Sequence, residues 1–392
     1  MKDGILRSTA MRLLASPEAV AKEAAEQILA AGQLPELVRL CERWKAIPAL
    51  AARLTALGID IPPTDAANLR RIAAQQFIQT TLCIRAGCDA MQALASAGIP
   101  SVGFKGLAVI AQLHSGPRDR MLQDVDVLIR FADLQPALEL LELRGYSRSV
   151  GGDLADYLAF VRNSPGAAGN QAASLTSRDG AALDLHWKLG RFDTGDLLSA
   201  ARPVRVLNAE APVTRPAHGV LLTVHHALRN DLVPDEMARD VLDCAGWFRL
   251  LAAEPGELAC ALDFAKRWGL EDGLRALATI VERFEGQQPI PLTHSGAAAH
   301  LADLYFRQLE SEPINTDLAY LVSGRSALQV LSGAMSGWKR YASLMREFES
   351  ANGEQSMSLR ERLKRLAVSA REMPVEHWRQ IRALARAKDR FL

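Results

Sequence analysis

The chain has 392 residues, 49% hydrophobic and 23% charged, with a formal net charge of +1. That is enough chain to bury a full core and to form two or three domains at roughly 100–200 residues each. The charge balance excludes a globally basic nucleic-acid binder, so any anionic partner has to be met locally. "MKDGILRSTAMRLLASPEAVAKE" carries Asp3, Arg7, Arg12 and Glu18 where a signal peptide needs an apolar centre, and no apolar run reaches the ~18 residues of a membrane span. A cytoplasmic protein without a membrane span is predicted. The five cysteines, Cys41, Cys83, Cys88, Cys244 and Cys260, fall in helix-like segments without a C-x-x-C pair and read as small packing residues.

In chain order, apolar positions recurring at three- and four-residue steps predict helices over 17–31, 35–57 and 64–97, broken at "GQLPE" and "GIDIPPTD". An N-terminal helical region over 1–97 results. The pattern then changes: "GIPSVGF" (98–104) reads as a short strand, "GLAVIAQLHS" as a helix and "LQDVDVLIR" as a strand of period two. "FADLQPALELLELRGY" is again helical, with Asp133 as a candidate cap and Gly145 as its stop. "QAASLTS" and "AALDLHWKL" form a hairpin about Asp179-Gly180. Residues 98–190 thus read as a mixed α/β unit, the main part of a core spanning 98–213.

From Pro216 helices resume over 216–230, 235–253, 256–268, 271–286 and 296–310, opening a C-terminal helical domain of 214–392. "EFESANGEQSMS" (347–358) is a linker candidate. Residues 360–392 hold ten Lys or Arg against four acidic residues, with Arg379, Arg382, Arg386 and Arg390 on one helical stripe. That stripe is either a solvated face or a contact for nucleic acid, an acidic protein or an anionic membrane surface. The expected fold class is α+β and predominantly helical, a small mixed sheet flanked by helices at both ends.

The chemistry concentrates in two aspartates. Side chains two apart on a strand share a face, so Asp124 and Asp126 project together about 6–7 Å apart while Val125, Val127 and Ile129 enter the core. Like charges in that position repel and lose hydration, a conflict that a divalent cation removes, unless the strand is an edge with both carboxylates solvated. Lys105-Gly106 sits where a strand gives way to a helix, a place where a phosphate can approach N–H groups of the first turn. Arg120 adds a planar donor fork suited to phosphate. Asp184 and His186 share the outward face of "ALDLHWKL", and three carboxylates converge if that strand lies beside 122–129.

The series "FKGLAVIAQL", R-x-x-x-D-V-D-V-L-I, a helix ending "LRGY" and "LDLHWKL" resembles the uncharacterised nucleotidyltransferase family of the polymerase-β-like nucleotidyltransferase superfamily. The likeness covers roughly residues 98–190, with a fainter echo in "LLTVHHAL" and "ARDVLDCAGWFRLL". It implies a polymerase-β-like core in which Asp124, Asp126 and Asp184 bind Mg²⁺ or Mn²⁺ and serve catalysis. Lys105, Gly106, Arg120 and His186 are then candidate nucleotide contacts. The implied reaction is attack of an acceptor hydroxyl on the α-phosphate of an NTP, the acceptor being a small molecule, saccharide or peptide. The alternative is a degenerate protein, regulatory or antitoxin-like, that binds nucleotide or a partner without turnover. Leu107 stands where the superfamily carries a serine, so a hydroxyl is lost and the Lys105 cation gained.

Four further positions stay open in the sequence. His225 and His226 cannot face the same way at 100° per residue, so one looks into a cleft or both are hydrogen-bonded in the core. Asp240 and Asp243 share a helix face and serve either the substrate or an ordinary surface or capping role.

Overall fold

The computed structural model describes residues 3–149, 152–163, 171–229, 234–292 and 295–310. The linker candidate over 347–358 and the basic stripe of 360–392 lie outside them.

Helices α1 (Asp3–Ala15), α2 (Glu18–Ala30), α3 (Leu34–Arg43), α4 (Ile47–Ala56) and α5 (Pro63–Ser96) open the chain. The single helix predicted over 35–57 is two, because Lys45 takes a positive φ and Pro48 fits only the first turn of a new helix. Strand β1 (Ser101–Phe104), helix α6 (Gly106–Leu113), strand β2 (Asp124–Ile129) and helix α7 (Leu134–Leu143) follow as expected. The side chain of Asp133 does not cap α7: it accepts a hydrogen bond from Arg130 Nε at 2.8 Å. Beyond a two-residue strand β3 (Ser147–Arg148) and helix α8 (Leu154–Asn163) come the predicted hairpin strands β4 (Ala172–Thr176) and β5 (Ala182–His186).

Helix α9 (Thr194–Ser199) leads to a second hairpin, β6 (Arg202–Val206) and β7 (Ala209–Val213). The chain closes with α10 (Pro216–Arg229), α11 (Pro234–Ala253), α12 (Pro255–Trp268), α13 (Glu271–Glu285) and α14 (Gly296–Glu310). The fold class is α+β and mostly helical, as expected. Among the described residues no helix is long and apolar enough to cross a membrane.

One seven-stranded mixed sheet organises these elements in the order β3-β4-β5-β2-β1-β7-β6. Strand β2 runs antiparallel to β1 and parallel to β5, and β1 runs parallel to β7. Both faces are covered, and the two hydrophobic cores run across the changes of pattern at residues 97 and 213. One core joins Val125, Val127, Ile129, Leu183 and Leu185 to α5, α6 and α7. Helix α5 approaches β2 so closely that a Cβ on Gly87 would lie 2.6 Å from Val125 Cγ1. The other core joins Val102, Phe104 and Leu128 to α1–α4 and α10–α14. The polar side chains of β2 and β5 emerge on this second face.

Candidate active site

In the parallel β2–β5 pair Asp126 stands opposite Asp184 and Leu128 opposite His186, so the three polar residues point to the same side. Asp124, one pleat earlier on β2, shares that side. The convergence of carboxylates expected from two separate alternating segments is therefore met by the register of the sheet. Single ligand atoms of Asp126, Asp184 and His186 all lie within 4.8 Å of one another. Asp124 falls outside this tightest group.

Asp126 is 5% exposed and doubly held. Lys105 Nζ donates to its Oδ1 at 2.7 Å, and His186 Nε2 lies 2.9 Å from the same oxygen. Burial works to raise the pKa of this carboxyl, but the Lys105 charge and the His186 contact outweigh it and hold it below the usual carboxylate range. Asp124 goes the other way: partial burial, then repulsion from Asp126 and Asp184, raise it, with Lys105 and Lys45 opposing. The neighbouring carboxylates are thus differentiated by their surroundings. His186 also packs edge-on to Phe104, with ring centroids 5.1 Å apart.

Lys105 is the pivot between β1 and α6, at φ 47° and ψ −121°. A non-glycine residue there is strained, and the ion pair with Asp126 shows what the side chain does from that position. Gly106 has a packing reason as well as the predicted one: an added Cβ would lie 2.2 Å from Leu122 Cδ1 and 2.8 Å from Arg120 Nη1. The guanidinium fork of Arg120 is directed at Asp243, with Nε to Oδ1 at 2.9 Å and Nη2 to Oδ2 at 2.7 Å. Both side chains are more than nine-tenths buried. Burial acts to lower Arg120, the Asp243 carboxylate more than compensates, and the arginine stays charged. Arg120 therefore ties the start of β2 to α11.

Beside Asp124 opens a cleft of about 220 Å³, whose walls include Lys105, Gly106 and Arg120 from the sheet region and His226, Arg239 and Asp240 from α10 and α11. Arg43 and Lys45, from the turn between α3 and α4, complete it. His226 Nδ1 lies 2.8 Å from Asp240 Oδ2, so of the two adjacent histidines this one looks into the cleft. His225 sits against Phe192 instead, with centroids 5.1 Å apart. Asp240 and Asp243 are buried partners of His226 and Arg120 and play no surface or capping role. Arg43, Lys45 and Arg239 were not signalled by the sequence. Only the placing of Arg239 next to Asp240 in "ARDVLD" hinted that this helix face was charged.

With this geometry in view, comparison with known proteins is informative. The sequence pattern of the family described as "uncharacterised nucleotidyltransferase" matches residues 31–286. The chain belongs to that family. The match extends well beyond the sheet, taking in α3–α5 and α10–α13, so the helices that close the cleft are part of what this nucleotidyltransferase family shares. No curated protein matches the chain. Among solved structures, an antigenic nucleotidyltransferase-like protein from Paracoccidioides brasiliensis is similar over 50% of this chain and 92% of its own, at 14% identity and a TM-score of 0.29.

Proposed function

We infer that this nucleotidyltransferase is a metal-dependent enzyme that moves an NMP group from an NTP to a hydroxyl of a small-molecule, saccharide or peptide acceptor. The observation that carries this reading is the facing pair Asp126 and Asp184, with Asp124 on the same side in the wall of a cleft that carries Arg43, Lys45, Lys105, Arg120 and Arg239 beside its carboxylates. Carboxylate oxygens suit Mg²⁺ or Mn²⁺, and the buried Asp126 carboxylate already draws in positive charge. Asp126, Asp184 and Asp124, with His186 at the edge, are the residues that would hold such an ion. When bound, the metal supplies neutralisation of the phosphate and lowers the cost of forming an alkoxide.

The protein's own groups account for the rest. Asp184, on the strand beyond β2, accepts the proton of the acceptor hydroxyl. His186 orients the Asp126 carboxylate through Oδ1. Lys105 and the first turn of α6 bind phosphate oxygens, and the buried Arg120–Asp243 pair keeps the start of β2 fixed beneath them. A cytoplasmic setting accords with five cysteines that are all free thiols.

One observation favours the second reading, a protein that binds nucleotide or a partner without turnover. The Lys105 ammonium stands 2.7 Å from Asp126, where a catalytic cation would compete with it. The two readings part on Asp184→Asn. In the enzyme, titration with a non-hydrolysable NTP analogue and Mg²⁺ is expected to be little changed, while turnover falls about 10²–10⁴-fold from the lost proton acceptor. Asp126→Asn is expected to weaken both. Wild-type turnover by Asp184→Asn removes the catalytic reading.

A further inference from the structure

Six helices among the described residues end in the same paired hydrogen-bond turn, in which the chain takes a left-handed residue just past the helix cap. Five of these positions are Gly32, Gly58, Gly98, Gly145 and Gly269, each with φ between 62° and 89°. The sixth, after α3, is Lys45 at φ 55°. Its hydrogen bonds match those of the glycine turns: Lys45 N donates to Glu42 O at 3.0 Å and Ala46 N to Cys41 O at 2.7 Å. Glycine adopts this conformation at no steric cost, whereas lysine is strained in it. Lys45 is also the one of the six that lines the cleft beside Asp124.

The pattern repeats at Lys105. Only three non-glycine residues among those described have positive φ, Lys45, Lys105 and Leu207, and both lysines border this cleft. Two strained lysines at one site indicate that the ammonium is what the position keeps. Trp44, 1% exposed, anchors the turn in the core between Arg43 and Lys45. Both lysines lie within electrostatic reach of Asp124. From α11, Arg239 adds a guanidinium that makes no ion pair among the described residues and is depressed by burial and by Arg120.

The reaction geometry says which part of a ligand these cations meet. In-line displacement at the α-phosphorus puts the attacking hydroxyl and the departing pyrophosphate on opposite sides. Asp184, the acceptor-side carboxylate, is not part of the cleft wall, whereas Asp124, Lys105 and Gly106 are. At about 220 Å³ the cleft is also smaller than the roughly 300–1,000 Å³ that encloses a whole small-molecule ligand. It is scaled to an anionic end group.

We propose that the Arg43–Lys45 turn is a phosphate clamp, in which Arg43 and Lys45, with Arg239 on another wall of the cleft, hold the terminal phosphate of the bound NTP and then the pyrophosphate. The proposal rests on the nucleotidyl-transfer reading for the identity of the ligand, and its chemistry is that of polyphosphate recognition from a helix-ending turn outside the sheet.

The experiment is calorimetric titration of the full chain, in Mg²⁺, with a non-hydrolysable NTP analogue and separately with inorganic tripolyphosphate, alongside thermal melts. Lys45→Gly is expected to weaken both ligands by about 10–100-fold, the range for one charge-assisted contact. Its Tm is expected to rise, because glycine relieves the left-handed strain. Arg43→Ala is expected to weaken both ligands with Tm unchanged. Unaltered affinities in Lys45→Gly and Arg43→Ala overturn the clamp and leave nucleotidyl transfer standing. A lower Tm for Lys45→Gly overturns it too, since Lys45 would then be holding the turn. Conversely, wild-type binding of tripolyphosphate but not of the NTP analogue, with tripolyphosphate binding weakened in the variants, removes the nucleotidyl reading while the clamp survives.

Discussion

The two faces of the sheet solve different problems with the same strands. On one, Val125, Val127 and Ile129 of β2 meet Leu183 and Leu185 of β5 under α5 and α7, and every one of these side chains is fully buried. On the other, Asp124, Asp126, Asp184 and His186 project from the same two strands, and only Leu128 and Ala182 are apolar there. The first face is held by close packing, where the loss of one methylene costs about 0.5–1.5 kcal/mol. The second is held by charges whose partners come from distant parts of the chain, Lys105 for Asp126 and Asp243 for Arg120. One strand is thus specified by volume on one side and by charge pairing on the other, with very different tolerance of substitution.

Three tests probe that contrast. The largest effect is expected from Asp243→Ala, which leaves the Arg120 guanidinium buried and unpaired. A loss of about 3–5 kcal/mol in denaturant unfolding is expected. Asp243→Ala together with Arg120→Leu is expected to recover much of it, and equal stability of wild type and the single variant would show that the polar side is not locked by this pair.

An effect of intermediate size concerns His218 on α10, which belongs to the helical layer over the polar face. Both ring nitrogens lack a hydrogen-bond partner, the ring lies 4.3 Å from Phe264 by centroids, and burial pushes its pKa down to about 4. Because the unfolded chain binds this proton more readily, stability is complete above the ordinary histidine value near 6.5 and is lost as pH falls from there toward about 4. The loss is on the order of 3 kcal/mol at most, from a shift of that size at 1.36 kcal/mol per pH unit. His218→Phe is expected to flatten this part of the stability–pH curve, and an unchanged slope between pH 6.5 and 4 would rule out this histidine as its source.

The smallest effect belongs to the apolar side. Ile129→Val removes one methylene beneath α7 and is expected to cost about 0.5–1.5 kcal/mol. Metal and nucleotide affinities are expected to be unchanged. A shift in either would mean that the two faces are coupled through β2.

What could be read in advance follows the same division. Alternation in "LQDVDVLIR" and "ALDLHWKL" revealed both strands and the shared side of Asp124, Asp126, Asp184 and His186, because a period of two is local. The helices announced themselves by a period of 3.6. The β6–β7 hairpin did not, since Pro203 and Pro212 face each other in it and Leu207, not a glycine, takes the positive-φ place of the Leu207-Asn208 turn at φ 54°. Lys45 was hidden for the same reason: a turn that five times uses glycine uses lysine once. The engagement of Arg120 by Asp243 depends on docking of α11, and no spacing near either residue encodes it.

The Arg120–Asp243 pair also has a consequence in time. Its members are 123 residues apart. At a synthesis rate of ~5–20 residues per second, Arg120 precedes Asp243 by roughly 6–25 s. For that interval the strand bearing Asp124 and Asp126 can exist as nascent chain while the carboxylate that immobilises its entry has not yet been made. The sheet can pair early, but Arg120 gains its buried partner only when α11 docks, so the order of synthesis makes α11 the element that completes the site.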